Sequence, residues 1–146
     1  MSAEMEPFTS SAEQGGMKAK TDSPLVTFET IDDIYVVTPR VQNMRDANIC
    51  LSIREQVIDF ARTHRLERVL IDLSQVRFMS SVGVRVLATL LREVCEVQGR
   101  IVACGLHGEL RGVLFVCSLI SDDIHQPGPI EVAASRDDGL ACLRSL

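Results

Sequence analysis

The sequence predicts an α/β fold, in which a mixed, mostly parallel β-sheet is joined by crossover helices. Two observations lead to this prediction. Short, continuously apolar runs of the kind found in buried strands alternate with longer segments in which apolar residues recur every three or four positions. The chain has 146 residues, of which 46% are hydrophobic, so it can bury one sizeable core but hardly two.

We expect a single domain over residues 25–146, preceded by a flexible head. Residues 1–24 are polar, contain Gly and Ser, and show no apolar period. The segments "LVTFET" and "IYVVTP" follow, and both are rich in Val, Ile and Thr. Because they flank Asp32-Asp33, we expect an antiparallel pair of strands joined by a tight turn.

The remaining elements alternate between helix and strand. The runs "RVLIDL", "RIVACG" and "PIEVAA" are predicted to be strands, the first two buried on both faces. Apolar periodicity predicts helices over residues 46–64, 81–99, 110–117 and 135–146. Ser135, with Asp138 three residues later, resembles a capping box for the last helix.

The composition restricts the class of partner. The chain has 15 basic and 20 acidic residues, so its net charge is 15 − 20 = −5, whereas nucleic-acid binding favours clustered Lys and Arg. It has no Trp and only one Tyr, which disfavours a base-stacking surface. No signal segment and no apolar run of about 18 residues is visible, so we expect a cytoplasmic protein without membrane insertion whose partner is another protein.

The reactive side chains show no arrangement that predicts catalysis. The five cysteines form neither a CxxC motif nor a Cys/His pair with metal-ligand spacing, and we interpret them as buried free thiols. No Ser/His/Asp spacing or Gly-rich phosphate loop is present. We therefore predict no catalytic residues, no metal and no cofactor, and a small enzyme is the least favoured function.

The loop after "RVLIDL" is the place where an α/β sheet usually carries its functional site. Ser80 and Ser81 stand together at the start of the second helix, where a serine is most often a capping residue. Only one of them can cap, so the other hydroxyl is expected on the first turn, open to solvent. Gly83 indicates close packing or the approach of a partner to the backbone. Phe78 and Met79 are expected in the core.

A phosphate on such a hydroxyl would have different effects on the fold and on a partner. The free N–H groups and the dipole of the helix N-terminus favour an anion, so the fold would tolerate it. A protein docked on the same surface would meet a charge of about −1.5 to −2. The position therefore permits a switch that changes binding without unfolding the chain.

The segments "VLIDLSQVRFMSSVGVRVLATLLREV" and "GRIVACGLHGELRGVLFVCSLI" resemble the STAS domain family, the family of bacterial anti-sigma factor antagonists. Such domains typically show an apolar strand, then Asp-Leu-Ser, a short apolar stretch, and Asp-Ser-Ser-Gly at the start of a helix. The corresponding residues here are Asp72-Leu73-Ser74, Val76–Met79 and Ser80–Gly83. The resemblance spans roughly Leu25 to Leu146.

The resemblance implies a phosphorylation-switched regulator. In the family, the first serine of that motif is phosphorylated by a partner kinase that is itself the anti-sigma factor, and phosphorylation cancels binding. By position this serine is Ser81, with Ser80 as second choice, because Ser80 and Val82 replace the family's acidic residue and second serine. The implied partner is an anti-sigma factor serine kinase. Whether a phosphatase also acts on the chain to reset the switch is left open by the resemblance. The implied partner-binding residues are Asn43, Asp46, Ser74, Ser80, Ser81, Val82, Gly83 and Arg85.

A second function is compatible with the same resemblance. An accessory STAS subunit of a lipid or solute transport ATPase complex would pack the same helix face permanently on the ATPase, without a phosphate. The substitutions at Ser80 and Val82 favour this alternative slightly.

Overall fold

The computed structural model describes residues 24–123 and 125–144, and it has the predicted α/β class. The strands are β1 (Val26–Ile31), β2 (Ile34–Pro39), β3 (Asn43–Met44), β4 (Arg68–Asp72), β5 (Phe78–Met79), β6 (Arg100–Cys104) and β7 (Glu131–Val132). The helices are α1 (Ala47–Thr63), α2 (Ser81–Glu96), α3 (Gly108–Val116) and α4 (Arg136–Arg144). The predicted head lies outside the described residues except for Pro24.

The main sheet has five strands in the order β1-β2-β4-β6-β7. Strand β1 is antiparallel to β2, and every other neighbouring pair is parallel. The predicted tight turn is present, with Asp32 and Asp33 at φ values of 52° and 66°. This left-handed conformation suits a hairpin turn, and aspartate tolerates it better than most residues.

Helices cover both faces of the sheet. Val69 and Ile71 of β4 belong to the larger core, which α1 and α2 cover, whereas Leu70 belongs to a smaller core shared with Leu140 and Leu143 of α4. Alternate residues of one strand are therefore buried on opposite faces. This arrangement explains the continuous apolar run of β4 and confirms the prediction that the strand is buried on both faces.

The last strand is shorter than predicted. Strand β7 contains only Glu131 and Val132, and it pairs with β6. One half of the predicted capping box of α4 is present, because the Ser135 hydroxyl accepts a hydrogen bond from the Asp138 amide at 3.1 Å.

Two short strands go beyond the predicted elements. Strands β3 and β5 have two residues each and form a separate parallel ladder. Each precedes one of the two longest helices, α1 and α2. Their pairing therefore places the first turns of α1 and α2 next to each other.

Candidate docking surface at the start of two helices

The β3–β5 ladder joins two loops that are distant in the sequence. The Ser80 amide donates to the Met44 carbonyl oxygen at 3.2 Å. The amides of Arg77 and Phe78 donate to the Gln42 carbonyl oxygen at 2.7 and 3.1 Å. The expected docking loop around residues 43–46 and the loop that carries the two serines thus form one continuous surface.

Gly83 makes this close approach possible. A Cβ atom added at Gly83 would lie 2.7 Å from the Met44 carbonyl oxygen and 2.6 Å from the Met79 Cγ. Both distances are shorter than van der Waals contact. Of the two roles that the sequence suggests for this glycine, close packing is present, because the first turn of α2 lies directly against β3 and β5.

The two serines differ in their surroundings. Ser80 occupies the N-cap position of α2 with an extended backbone, but its side chain makes no capping hydrogen bond. Ser81 is the first residue of the helix, and its side chain is exposed. The first-turn amides of α2 therefore lack the side-chain acceptor that an N-cap serine usually supplies. The structure therefore has an open hydroxyl at Ser81 beside a positive helix end.

The neighbouring loop is ordered by its own polar contacts. The Asp46 Oδ1 caps α1 and accepts hydrogen bonds from the amides of Asn48 (2.8 Å) and Ile49 (3.1 Å). The Asn43 Oδ1 accepts a hydrogen bond from the Nε of Arg45 at 3.0 Å. Asn43 and Asp46 are both exposed beside the serine loop, as their predicted role requires.

Phe78 corrects one prediction. The sequence predicts it in the core with Met79, but its relative exposure is 40%, whereas Met79 is buried. The physical reason is that consecutive residues of a strand point to opposite sides. The guanidinium of Arg45 lies 4.6 Å from the centre of the Phe78 ring, an exposed cation–π contact on the same surface.

Ser74 contacts a different part of the molecule. Its amide donates to the buried Asp72 Oδ1 at 3.0 Å, and its carbonyl oxygen lies 3.0 Å from the His107 Nε2. A Cβ atom added at Gly105, which has a φ of 75°, would lie 2.6 Å from the Ser74 nitrogen. The structure thus places exposed Ser74 against the β6–α3 loop, and Ser74 is not among the paired residues of the β3–β5 ladder.

A groove between α1 and α2 begins beside Ser81. Val82 and Arg85 of the predicted site line it, together with Arg54 and Arg92, and its volume is about 540 Å³. Neither Arg54 nor Arg92 is among the predicted site residues. A signal for Arg54 exists in the sequence, since Thr89 is a polar residue within the otherwise apolar stripe of α2. The structure shows that the Thr89 hydroxyl accepts a hydrogen bond from the Arg54 Nε at 2.9 Å.

Only some of the cysteines are buried. Cys50 and Cys104 are buried, whereas Cys95 and Cys117 are exposed, so the expectation of buried thiols is wrong for the latter two. Burial, and then the neighbouring Asp72 carboxylate, raises the pKa of the Cys104 thiol to about 11. Within residues 24–123 and 125–144, no group of three His, Cys, Asp or Glu side chains could hold a metal ion.

Comparison with protein families agrees with this architecture. The model of the STAS domain matches residues 26–128. The chain belongs to the STAS domain family. No curated protein matches it at the level of sequence.

Several solved structures share the fold at low sequence identity. A putative anti-sigma factor antagonist from Thermotoga maritima is 17% identical, with a TM-score of 0.65 over 82% of this chain and 94% of that one. The phosphorylated form of SpoIIAA, a cell fate determinant of Bacillus, is 18% identical, with a TM-score of 0.61 over 82% of this chain and 99% of that one. The murine anion transporter Slc26a9 is 18% identical, with a TM-score of 0.60 over 81% of this chain but only 19% of the transporter.

The structures with a similar fold therefore include a putative anti-sigma factor antagonist and part of an anion transporter. In the part of this STAS chain that the structure describes, none of the helices has the length and hydrophobicity needed to cross a bilayer.

Proposed function

We propose that this STAS domain is an anti-sigma factor antagonist that acts in the bacterial cytoplasm as a regulator of transcription. It binds an anti-sigma factor serine kinase and so releases a sigma factor, and phosphorylation of Ser81 cancels the binding. The observation that carries this proposal is the exposed hydroxyl of Ser81 at the first position of α2, on the surface formed by the β3–β5 ladder. The protein is a binding module rather than an enzyme.

The position of Ser81 supports a switch for a physical reason. An exposed side chain is accessible to a kinase, and a phosphate beside the open amides of a helix N-terminus is stabilised by them. A partner docked over the same turn would lose its contacts to a bulky dianion. Phosphorylation would therefore reduce partner affinity while the domain stays folded, and a phosphatase would restore binding.

The proposed docking surface contains the residues around this hydroxyl. Asn43 and Asp46 contribute from the loop before α1, and Ser80, Val82 and Arg85 contribute from the start of α2. Gly83 acts through packing, because it allows the two loops to approach. Ser74 forms the edge of the surface, next to the β6–α3 loop.

Ser81 is a better modification site than Ser80. Ser80 is only partly exposed, and its amide is held by the Met44 carbonyl oxygen, whereas Ser81 is exposed. The acidic residue that precedes the target in the family is replaced by Ser80 in this chain. The proposed kinase must therefore recognise Ser81 without a carboxylate at the preceding position.

The proposal is tested with the full chain and a reconstituted anti-sigma factor kinase. Ser81→Ala should bind the kinase as the unmodified protein does, and Ser81→Asp should bind far more weakly. Ala141→Asp is the matched control, since it adds the same charge at an exposed position of α4, on the opposite face of the sheet. Circular dichroism should show that all three variants are folded.

Two results would contradict the switch. One is equal kinase affinity for Ser81→Ala and Ser81→Asp. The other is phosphorylation by the kinase, mapped by mass spectrometry, at a residue other than Ser81.

The fold match to one domain of a transporter supports a second candidate. In this alternative the chain is an accessory subunit of a lipid or solute transport ATPase complex, bound through the same face without phosphorylation. Affinity purification of the tagged chain from its native cells separates the two functions. A kinase among the bound proteins together with a phosphate on Ser81 supports the antagonist, and a stoichiometric transport ATPase with unmodified Ser81 supports the subunit.

A further inference from the structure

The groove between α1 and α2 has features that the switch at Ser81 does not explain. On the α2 side its lining extends from Val82 to Arg92, a separation of ten residues, or about 15 Å at a rise of 1.5 Å per residue. Two of its lining residues, Ala47 and Ala88, have small side chains. Leu51, with a relative exposure of 50%, forms part of its wall.

Arg54 is held in a fixed position in this groove. Its Nε donates to the Thr89 hydroxyl at 2.9 Å, and that hydroxyl donates in turn to the Arg85 carbonyl oxygen at 2.9 Å. Thr89 is only 4% exposed, so its hydroxyl is committed to these two contacts. A guanidinium has five N–H donors, and Thr89 uses one of them. The remaining donors of Arg54 are thus pre-oriented at a fixed place.

The groove is positively charged although the chain as a whole carries −5. Arg54, Arg85 and Arg92 line it, and no acidic residue is among its lining residues. Across residues 24–123 and 125–144, neither Arg54 nor Arg85 forms an ion pair, and Arg92 reaches Glu93 only at 3.8 Å. Three guanidinium groups on one concave surface attract an anion, and the attraction is strengthened by the low-dielectric walls.

We propose that this groove receives an acidic amphipathic helix of the partner protein. A partner carboxylate binds the free edge of Arg54 through paired hydrogen bonds, and apolar side chains of the same helix pack on Leu51 and Val82. The open shape and the exposed leucine favour a helix over a small anion, which would leave the apolar wall uncovered. The inference rests on the proposed function only in that the partner is a protein that docks on this face.

A phosphate on Ser81 would affect binding in this groove. Val82, the next residue, already lines the groove, and Arg85 lies one turn from Ser81 on the same helix face. A phosphate there would repel an acidic helix and compete with it for the Arg85 guanidinium. The switch would therefore act most strongly on a partner segment that is itself negatively charged.

The test uses the isotope-labelled full chain and synthetic peptides in place of the partner. The probe is an amphipathic helical peptide of about 15 residues with Glu and Leu spaced three and four apart. The matched peptide has Gln at each Glu position. The Glu peptide should shift NMR resonances of residues 47–54 and 82–92 and bind about tenfold more tightly than the Gln peptide, with an affinity that falls as salt is added.

Variants assign the effect to Arg54. Arg54→Glu should weaken binding of the Glu peptide about tenfold or more. Arg62→Glu, the same change at an exposed position of the same helix, should alter affinity less than about twofold. Thr89→Val keeps every charge but removes the hydrogen bond that holds Arg54. Its affinity for the Glu peptide should lie between those of Arg54→Glu and Arg62→Glu. Thermal melts establish that each variant is folded.

Several outcomes would overturn the inference. These are equal binding of the Glu and Gln peptides, resonance shifts outside the groove, or an unchanged affinity of Arg54→Glu. Displacement of the peptide by ATP at matched ionic strength would assign the groove to a small anion instead. The peptide assay contains no kinase, so the two proposals are tested separately. The groove can fail to bind an acidic peptide while the Ser81 variants still differ in kinase affinity, or the groove can bind the peptide while those variants do not differ.

Discussion

The Ser80 amide donates to the Met44 carbonyl oxygen at 3.2 Å, and the space beside that oxygen is open only because residue 83 is glycine. A Cβ atom at Gly83 would lie 2.7 Å from the same oxygen. This backbone contact, together with the hydrogen bonds from Arg77 and Phe78 to the Gln42 carbonyl oxygen, joins the two loops, and the absence of a side chain at residue 83 permits the approach. The contact also makes the surface sensitive to small changes in packing.

Gly83→Ala should destabilise the domain by about 1–3 kcal/mol through overpacking, although alanine is the better helix former. Gly112→Ala is the matched control, because a Cβ at that helical position meets nothing within 4 Å. It should raise the free energy of unfolding by about 0.5–1 kcal/mol. Urea denaturation measures both, and a stabilising Gly83→Ala would show that the clash does not exist.

Asp46→Ala should reduce the free energy of unfolding by about 1 kcal/mol, because two amides of α1 lose their acceptor. Ser80→Ala, at the equivalent N-cap position of α2, should change it by less than about 0.5 kcal/mol, since its hydroxyl makes no capping hydrogen bond. Chemical denaturation of the two variants provides the comparison. A loss for Ser80→Ala as large as that for Asp46→Ala would mean that the hydroxyl caps the helix in solution.

The edge strand β7 should contribute a pH-dependent part of stability. The hydrogen bond from Arg100 holds the pKa of the Glu131 carboxyl below its ordinary value near 4.5. A carboxyl whose pKa is lower in the folded state stabilises the fold above its unfolded pKa, and this contribution is lost as the pH falls through the folded pKa. Glu131→Gln should therefore destabilise the protein at neutral pH and lose less stability than the wild type on acidification.

Denaturation at about pH 7 and about pH 3 measures that difference. Glu55→Gln, at an exposed position of α1, controls for the removal of one carboxyl group. The same pH dependence in Glu131→Gln and wild type would reject the role of the Arg100–Glu131 pair.

Thiol labelling should separate the exposed cysteines from the buried ones. In the folded protein at about pH 8, exposed Cys95 and Cys117 should react rapidly. Cys50 and Cys104 should react only after denaturation, because they are buried and burial raises the pKa of both thiols. Mass spectrometry of peptides from timed samples identifies each site, and rapid labelling of Cys104 in the native state would contradict the burial.

The long elements are predictable because a single physical signal dominates each of them. Helix α1 is predicted over residues 46–64 and spans Ala47–Thr63, since its buried residues Cys50, Ile53 and Val57 follow the helical period. Strand β4 is predictable from its apolar run, which is buried on both faces. These signals depend only on neighbours within one element.

The site is less predictable because it depends on contacts between elements. Strands β3 and β5 have two residues each, too few to show a period, and their pairing is what brings Asn43 close to the serine loop. The wrong prediction for Phe78 has the same origin, because the sequence does not show which side of this short strand faces the core. The Arg54–Thr89 hydrogen bond joins residues 35 positions apart, and sequence periodicity cannot show how two helices are rotated relative to each other.

The β3–β5 ladder joins two segments that are distant in the sequence, and this determines when the contact surface forms during folding. Each half of the contact surface belongs to a different crossover connection, one leading from β2 and the other from β4. A nascent or partly unfolded chain would present either half alone, without the neighbour that orients it. Under the proposed function, only fully folded molecules would bind the kinase, so an unfolded copy would not release the sigma factor.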